Sequence, residues 1–442
     1  MLDWQEEYKK KLLTAEEAAK LVKSNGLVVF TPGREALAVG LAIAARKEEL
    51  RGVKVVVNAP GYDFGWYDPG WEDSFSIRLS TPTAVCQEMI DEKRCDFDPS
   101  WLFPYPTETS ASPHDADIVI TEVSSPDEKG FCSFGASLWT KKAYVKDAKL
   151  VIAEVNKNLI RTYGDNFIHI SEIDYFVEHI SSGGAPGTGS LAGRELKEPE
   201  PYLKDIAGYV SELIKDGDTL QVGVGRTTEP LVHLGMLNGK HDLGYHSEAT
   251  PPGVITLVQK GVINGKYKTL NPRKVVVTSI GGSTREEMEW VNMNPLFCLV
   301  DVDYLEDVRV IAAHDNMKSI NNILMLDLSG QITSETIGAK LLAGPGGQTA
   351  FVVGSQMSKG GQFIAVLPST AQGGQASRIV PLLPEGTVVT VPRNLADIVV
   401  TEYGIARLRG KTLRERASEL IGIAHPNFRA ELKRAAQKLF GS

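Results

Sequence analysis

Cysteine is scarce: the 442 residues include four, Cys86, Cys95, Cys132 and Cys298. They are scattered, with no CxxC or histidine-paired spacing. That excludes a disulfide framework or a zinc site and predicts free, buried thiols in a reducing cytoplasm. Long apolar runs are missing too; none approaches the roughly 18 residues that a membrane span needs. The first 23 residues are charged and amphipathic, unlike a secretory leader. Positive charge is in deficit, with 47 Lys and Arg against 55 Asp and Glu and a formal net charge of −8. A nucleic-acid binder usually carries the opposite field. These absences lead us to expect a cytoplasmic protein with neither nucleic acid nor membrane as a partner.

Glycine, by contrast, is abundant, at 42 residues. Around the glycines, short β-branched runs alternate with helical patterns, the mark of α/β domains with mainly parallel sheets. Strands are expected at Leu27–Pro32, Val53–Ala59, Asp117–Ser124, Leu150–Val155, Thr219–Val224 and Leu243–His246. Others are expected at Val275–Ile280, Phe297–Val302, Phe363–Pro368, Thr387–Val391 and Asp397–Tyr403. Helices are expected at Thr14–Ser24, Arg34–Leu50, Tyr202–Lys215, Glu229–Asn238 and Leu413–Ile421. The Gly-, Ser- and Pro-rich stretch Ser181–Pro201 reads as a linker. This divides the chain into two domains, residues 1–200 and 201–442. ADIVITEV at 116–123 and ADIVVTEY at 396–403 favour shared architecture over chance similarity of buried strands.

The densest chemical signal runs from Asp218 to Thr250, read as strand, glycine turn, helix and strand. Gly223 and Gly225 end the first strand, where backbone can approach a ligand. Thr227-Thr228-Glu229-Pro230 signals a helix start, whose free N–H groups favour an anion. Glu248 lies at the carboxyl end of the next strand, the edge where open α/β sheets bind ligands. A dinucleotide fold would also place an acid about 20 residues after its glycines; here Glu248 follows Gly223 by 25, and Thr228 occupies the third glycine position. The pattern alone leaves a dinucleotide and another phosphate-bearing ligand equally open.

Other motifs carry less. Gly404–Thr412 resembles a P-loop but has one residue too many between its glycines, so it reads as a basic helix start. Gly344–Gln348 and Ser358–Gly361 are turns that could also meet an anion through backbone N–H groups. His246 shares a strand face with Glu248 and could orient it, whereas His169, His179, His314 and His425 show no partner pattern. No GxSxG elbow is present.

Longer strings narrow the choice. They are SSPDEKGFCSFGAS (Ser124–Ser137), VNKNLIRTYGDNFIHISEIDYFVE (Val155–Glu178), QVGVG (Gln221–Gly225), LGYHSE (Leu243–Glu248), HDNMKSIN (His314–Asn321), GPGGQ (Gly344–Gln348), SKGG (Ser358–Gly361), VTEYGIARLRGKTLRERA (Val400–Ala417) and IAHPNFR (Ile423–Arg429). Carrying them, the chain resembles the acetyl-CoA hydrolase/transferase family, the branch of family I CoA-transferases that includes 4-hydroxybutyrate and butyrate:acetate CoA-transferases.

The resemblance implies two similar open α/β domains with mainly parallel sheets, of the NagB/RpiA/CoA-transferase-like kind, and a homodimer. It implies that Glu248 is the nucleophile of a ping-pong exchange through a glutamyl-CoA thioester. Acyl-CoA and a small carboxylic acid are then substrates, with no tightly bound cofactor and no metal. CoA contacts are implied at Gly223, Val224, Gly225, Arg226, Thr227, Gly346 and Gly347, with Ile320 or Ile323 near the pantetheine. Two departures stand out. Relatives carry GQVDFVRG where this chain has GQTAFVVG, with Ala350 and Val353 in place of the charged pair. Gln372 and Gly373 stand where relatives tend to have lysines, which leaves the CoA phosphates to Lys359, Arg226 or another basic residue. Arg226 itself occupies a usually small or apolar position. The aromatic segment Tyr62–Trp71 either caps the core or shapes an acyl pocket. Acyl-CoA hydrolysis through the same glutamate, a catalytically silent CoA-binding protein and, more remotely, a dinucleotide-dependent oxidoreductase are the alternatives.

Overall fold

A computed structural model describes residues 4–33, 35–100, 102, 115–179, 199–281 and 284–441. Two compact units emerge, Met1–Arg194 with Val277–Leu305, and Glu195–Val276 with Glu306–Ser442. Most of the Ser181–Pro201 stretch, including Gly183–Gly193, lies outside the described residues.

The first unit is built on seven strands: β1 (Leu27–Phe30), β2 (Val53–Val57), β3 (Phe75–Leu79), β4 (Asp96–Phe97), β5 (Ile118–Val123), β6 (Val151–Val155) and β7 (Tyr175–Glu178). They lie in the order β4-β3-β2-β1-β5-β6-β7, and every pair is parallel. A parallel sheet is covered on both faces, so its strands read as continuous apolar runs rather than alternations. β5 and β6 are accordingly buried at every position. Helix α1 (Leu37–Ala44) follows β1. It packs so closely on Phe64 that a Cβ at Gly40 would stand 2.3 Å from the ring. Phe64, Trp66 and Tyr67 belong to the core of this unit, with Trp66 stacked near Phe30 and Phe75. Three members of the aromatic segment therefore cap the core. The excursion Val277–Leu305 completes the unit: Leu138 N–H donates to Thr278 at 2.8 Å, and Ile280 N–H to Ala136 at 2.7 Å. Gly164 is obligatory here, because a Cβ would meet the Leu299 carbonyl oxygen at 2.1 Å.

The second unit opens with α2 (Tyr202–Leu213), whose buried Leu203, Ile206, Ala207, Val210 and Leu213 form one helical stripe. Its strands are β8 (Thr219–Val222), β9 (Gly244–Thr250), β10 (Met317–Asn322), β11 (Gln362–Val366), β12 (Ile398–Thr401) and β13 (Gly404–Arg407). They run in the order β9-β8-β10-β11-β12-β13, parallel except for the β12–β13 hairpin. Helix α3 (Thr228–His233) follows β8; α4 (Val308–Ala312) precedes β10; α5 (Gln348–Met357) precedes β11. Two helices close the chain, α6 (Leu413–Ile423), started by a Thr412/Glu415 capping box, and α7 (Pro426–Phe440), with proline in its first position. The Gly404–Thr412 motif is thus a hairpin strand, a turn and a helix cap.

Both units share one arrangement around their first strand, with the second strand on one side and three later parallel strands in chain order on the other: β2-β1-β5-β6-β7 in one and β9-β8-β10-β11-β12 in the other. This likeness is not the one suggested by the repeated ADIV string. That string falls on β5, directly beside the first strand of one unit, and on β12, three places from the first strand of the other, so convergence of buried parallel strands explains it. Three other expectations change. Leu243–His246 becomes a strand reaching Thr250, which takes in Glu248. Phe297–Val302 shortens to Phe297–Leu299, followed by a helical turn at Val302–Leu305. Thr387–Val391 forms no extended strand; Val388 and Val389 are exposed, and only Val391 pairs, with Ile332.

Candidate active site

In an open sheet of this order, the strands on either side of the first helix crossover diverge, and ligands bind outside their carboxyl ends. In the second unit that point lies between β8 and β10, where Gly223 and Asn321 stand. Gly223 N–H donates to the Ile320 carbonyl at 2.8 Å. A Cβ on Gly223 would strike Asn321 Oδ1 at 2.4 Å, so the glycine is required by this chain's own amide. Asn321 is itself fixed: its Nδ2 donates to Gln221 Oε1 at 2.9 Å and Ser319 Oγ at 2.8 Å, and its Oδ1 accepts from Gln221 Nε2 at 3.0 Å.

Next to β8, backbone pairing with β9 covers Thr219↔Gly244 and Leu220↔Tyr245. Beyond it the Ser247 hydroxyl takes over, accepting from Val222 N–H at 3.3 Å and donating to the Val222 carbonyl at 3.2 Å. Ser247 is bound toward β8, and the alternation of β9 turns His246 and Glu248 the other way. Glu248 is half-buried. Its Oε1 accepts the Gly347 N–H at 2.9 Å, and the Glu306 carboxyl converges on the same glycine. Burial pushes the Glu248 carboxyl above the ordinary glutamate range, while the neighbouring Glu306 carboxyl and the Gly347 N–H oppose the rise. Gly347 caps the ten-residue α5, so its N–H is among those left open by the helix start. The preceding Gly346 adopts φ +56°, with nothing within 4 Å of its missing Cβ.

Behind this group His246 and His314 are both fully buried, their ring centroids 4.7 Å apart. Burial, with Lys268 adding to it, pulls His314 down to about 3, which keeps it neutral. His314 showed no partner pattern in the sequence because its partner lies 68 residues away.

The remaining expected contacts divide. Val224 and Gly225 are partly exposed in the turn after β8, Arg226 is exposed and Thr227 is buried. The helix start expected at Thr227–Pro230 is present in the six-residue α3, but Glu229 Oε1 accepts the Gly225 N–H at 3.1 Å, so that turn donor is already used. Ile320 and Ile323 are both 0 % exposed, and Ile323 belongs to the apolar core of the unit. Neither offers surface to a pantetheine in this conformation. Lys359 is misplaced for the role proposed from sequence. Its carbonyl accepts the Asn316 N–H at 2.7 Å, at the amino end of β10, whereas Gly223 and Glu248 lie toward the carboxyl ends. Its ammonium instead faces Asp315 at 3.8 Å. Gln372 and Gly373 are exposed. Glu306 had no local signal: LEDVRV reads as a helix start, and only the tertiary fold brings it to Glu248.

The profile of the acetyl-CoA hydrolase/transferase N-terminal domain matches residues 1–182, and that of the C-terminal domain matches residues 283–436. A 4-hydroxybutyrate coenzyme A transferase of Clostridium kluyveri is 41% identical, covering 99% of this chain and 100% of that protein. A succinyl-CoA:cyclohexane-1-carboxylate CoA transferase of Geobacter metallireducens is 36% identical, covering 99% and 97%. The crystal structure of RipA from Yersinia pestis superposes with a TM-score of 0.88 at 30% identity, covering 100% of both chains.

Proposed function

Because the chain belongs to the acetyl-CoA hydrolase/transferase family and is a CoA-transferase, we propose that it exchanges CoA between an acyl-CoA and a small carboxylic acid through Glu248. The observation that carries this reading is a half-buried carboxylate on β9, gripped by the Gly347 N–H, beside the strand crossover of the second unit.

The chemistry follows from the carboxylate. Glu248 attacks the thioester carbon; a C–O bond forms, the C–S bond breaks and CoA thiolate leaves, giving an acyl-glutamyl anhydride. The thiolate then attacks the glutamyl carbonyl, releasing the first carboxylate and leaving a glutamyl-CoA thioester. An incoming acid reverses both steps. One thioester replaces another, with no net proton uptake. The Gly347 N–H, aimed at Glu248, sits where negative charge moves onto and off the glutamyl oxygens. The turn Gly223–Thr227 and the open Gly346 supply backbone to the cofactor, with Arg226 as the exposed cation beside them.

The acceptor belongs to the acetate, butyrate or 4-hydroxybutyrate class. The protein works in the cytoplasm as a homodimer. The assay that tests the proposal mixes acyl-CoA with each acid and follows both new thioester and free thiol. The proposal expects new acyl-CoA to accumulate faster than thiol, and both rates to vanish in Glu248→Ala. Undiminished exchange in that variant removes Glu248 from the reaction, and thiol release without new thioester makes the protein a hydrolase.

A further inference from the structure

The chain places two consecutive carboxylates before α4 and treats them oppositely. Asp307 caps the helix, accepting the Arg309 N–H at 2.8 Å, and pairs with the Arg309 guanidinium. Glu306 turns inward and is 0 % exposed. Its position follows from helix packing. Gly354 on α5 lets Ile311 of α4 come within 2.5 Å of where a Cβ would stand, and this close approach brings the start of α4 to the start of α5. There, a Cβ on Gly347 would lie 2.2 Å from Glu248 Oε1 and 2.4 Å from both Cδ and Oε1 of Glu306. Two carboxyl groups converge on one bare Cα.

Two carboxyl groups this close are compatible, and can hydrogen-bond, only if one carries a proton, since neighbouring carboxylates repel and neither has a donor. The surroundings assign it. Glu248 is partly open to solvent and accepts a backbone N–H, both of which favour the ionised form. Glu306 has no exposure, which favours the neutral form. We infer that Glu306 is held as a neutral carboxylic acid whose O–H donates to Glu248, making it a positioning residue for the nucleophile. The inference rests on the reading of Glu248 as nucleophile.

With one bond from the Gly347 N–H and one from the Glu306 O–H, the Glu248 carboxylate is fixed in rotation and lone pairs remain for attack. When Glu248 forms its C–O bond to the acyl carbon and thiolate departs, the Glu306 proton stays in place. It stays again when thiolate displaces the acyl carboxylate, as a reaction with no net proton uptake requires. A protonated carboxyl thus supplies a neutral donor beside the nucleophile, where a lysine or arginine would pair with the carboxylate and blunt its attack.

The test compares Glu306→Gln, which keeps a donor at the same length, with Glu306→Met, which keeps the length and removes the donor. Melting temperature and sizing establish that each is folded. The expected result is kcat within about threefold of the parent in Glu306→Gln and a fall of about 10² in Glu306→Met, the cost typical of losing one preorganised donor, with KM for acyl-CoA unchanged. At about pH 9, where Glu154 and Asp301 are ionised, the infrared carbonyl band of a protonated carboxyl is expected in the parent, to vanish in Glu306→Gln and to persist in Glu248→Gln. Equal kcat in the Gln and Met variants, or an infrared band unchanged by Glu306→Gln, overturns the inference. The infrared measurement needs no turnover, so it judges Glu306 even if the Glu306→Met variant fails to fold. Should borohydride trap no adduct on Glu248 in the parent, the nucleophile reading fails instead, and the two failures remain distinct.

Discussion

At the scale of the residue, the site depends on one missing methyl group. Gly347 is needed because two carboxyls fill the volume of its Cβ, not because its backbone is left-handed. Replacing it by alanine pushes Glu248 or Glu306 away and loosens the N–H contact. We expect kcat to fall about 10²-fold, with the melting temperature nearly unchanged; kcat within twofold of the parent contradicts this account. The pH profile follows from the same environment. As the proposed nucleophile, Glu248 must be ionised, and burial raises its affinity for protons above the ordinary glutamate value of 4.5. As pH falls, kcat/KM therefore declines tenfold per unit, starting from a midpoint above 4.5. A profile flat down to 4.5 contradicts it. Glu248 was legible in the sequence because the HSE string and the glycine turn flank it. Glu306 and His314 were not, since the residues they meet are 58 and 68 positions away, and no local pattern marks an inward-facing acid before a short helix.

Among the elements, strands that are β-branched runs buried on both faces, such as β1, β2, β5 and β6, were legible. The alternating β3 (FSIRL) and the polar β10 (MKSINN) were not expected. The helix that matters most, α5, was not expected either. Its sequence QTAFVVGSQM mixes helix formers with β-branched residues and glycine, and the glycines before it read as a turn. A similar placement of an acid at a helix start occurs in the first unit. Glu154 on β6 is fully buried and accepts the Ala38 and Val39 N–H groups at the start of α1, at 2.9 and 3.1 Å. Its register partner on β5 is Glu122. Burial, with Glu122 adding to it, raises Glu154 to about 7 from 4.5. The folded state therefore holds this proton more tightly than the unfolded chain does. Stability falls as pH rises from 4.5 to about 7, and the penalty is complete above that, at roughly 3 kcal/mol as an upper bound. Glu154→Gln removes it. The variant is expected to unfold at higher denaturant than the parent at about pH 8, with the difference shrinking as pH falls toward 4.5. A difference independent of pH contradicts the assignment.

For the whole molecule, the two units repeat one strand order, a relation that the short sequence echo pointed toward for the wrong reason. Composition signalled a boundary near residue 200. It could not signal that Val277–Leu305 packs with the first unit, because the backbone hydrogen bonds that join it there link segments about 140 residues apart in sequence. A fragment ending at residue 200 leaves Ala136 and Leu138 without their partners at Ile280 and Thr278. We expect it to lack a cooperative thermal transition on its own, and a sharp transition with native-like near-ultraviolet dichroism contradicts the division.

Two relatives are named for acids as different as 4-hydroxybutyrate and cyclohexane-1-carboxylate. The claim on which the account turns is a covalent glutamyl-CoA thioester. Incubation with acyl-CoA, reduction with borohydride and peptide mass spectrometry test it directly. The account predicts that the peptide carrying Glu248 is recovered with its glutamate reduced to the alcohol, and that this product is absent without acyl-CoA. An unmodified Glu248 peptide across acetyl-, butyryl- and 4-hydroxybutyryl-CoA, in a preparation that still exchanges CoA, would contradict it.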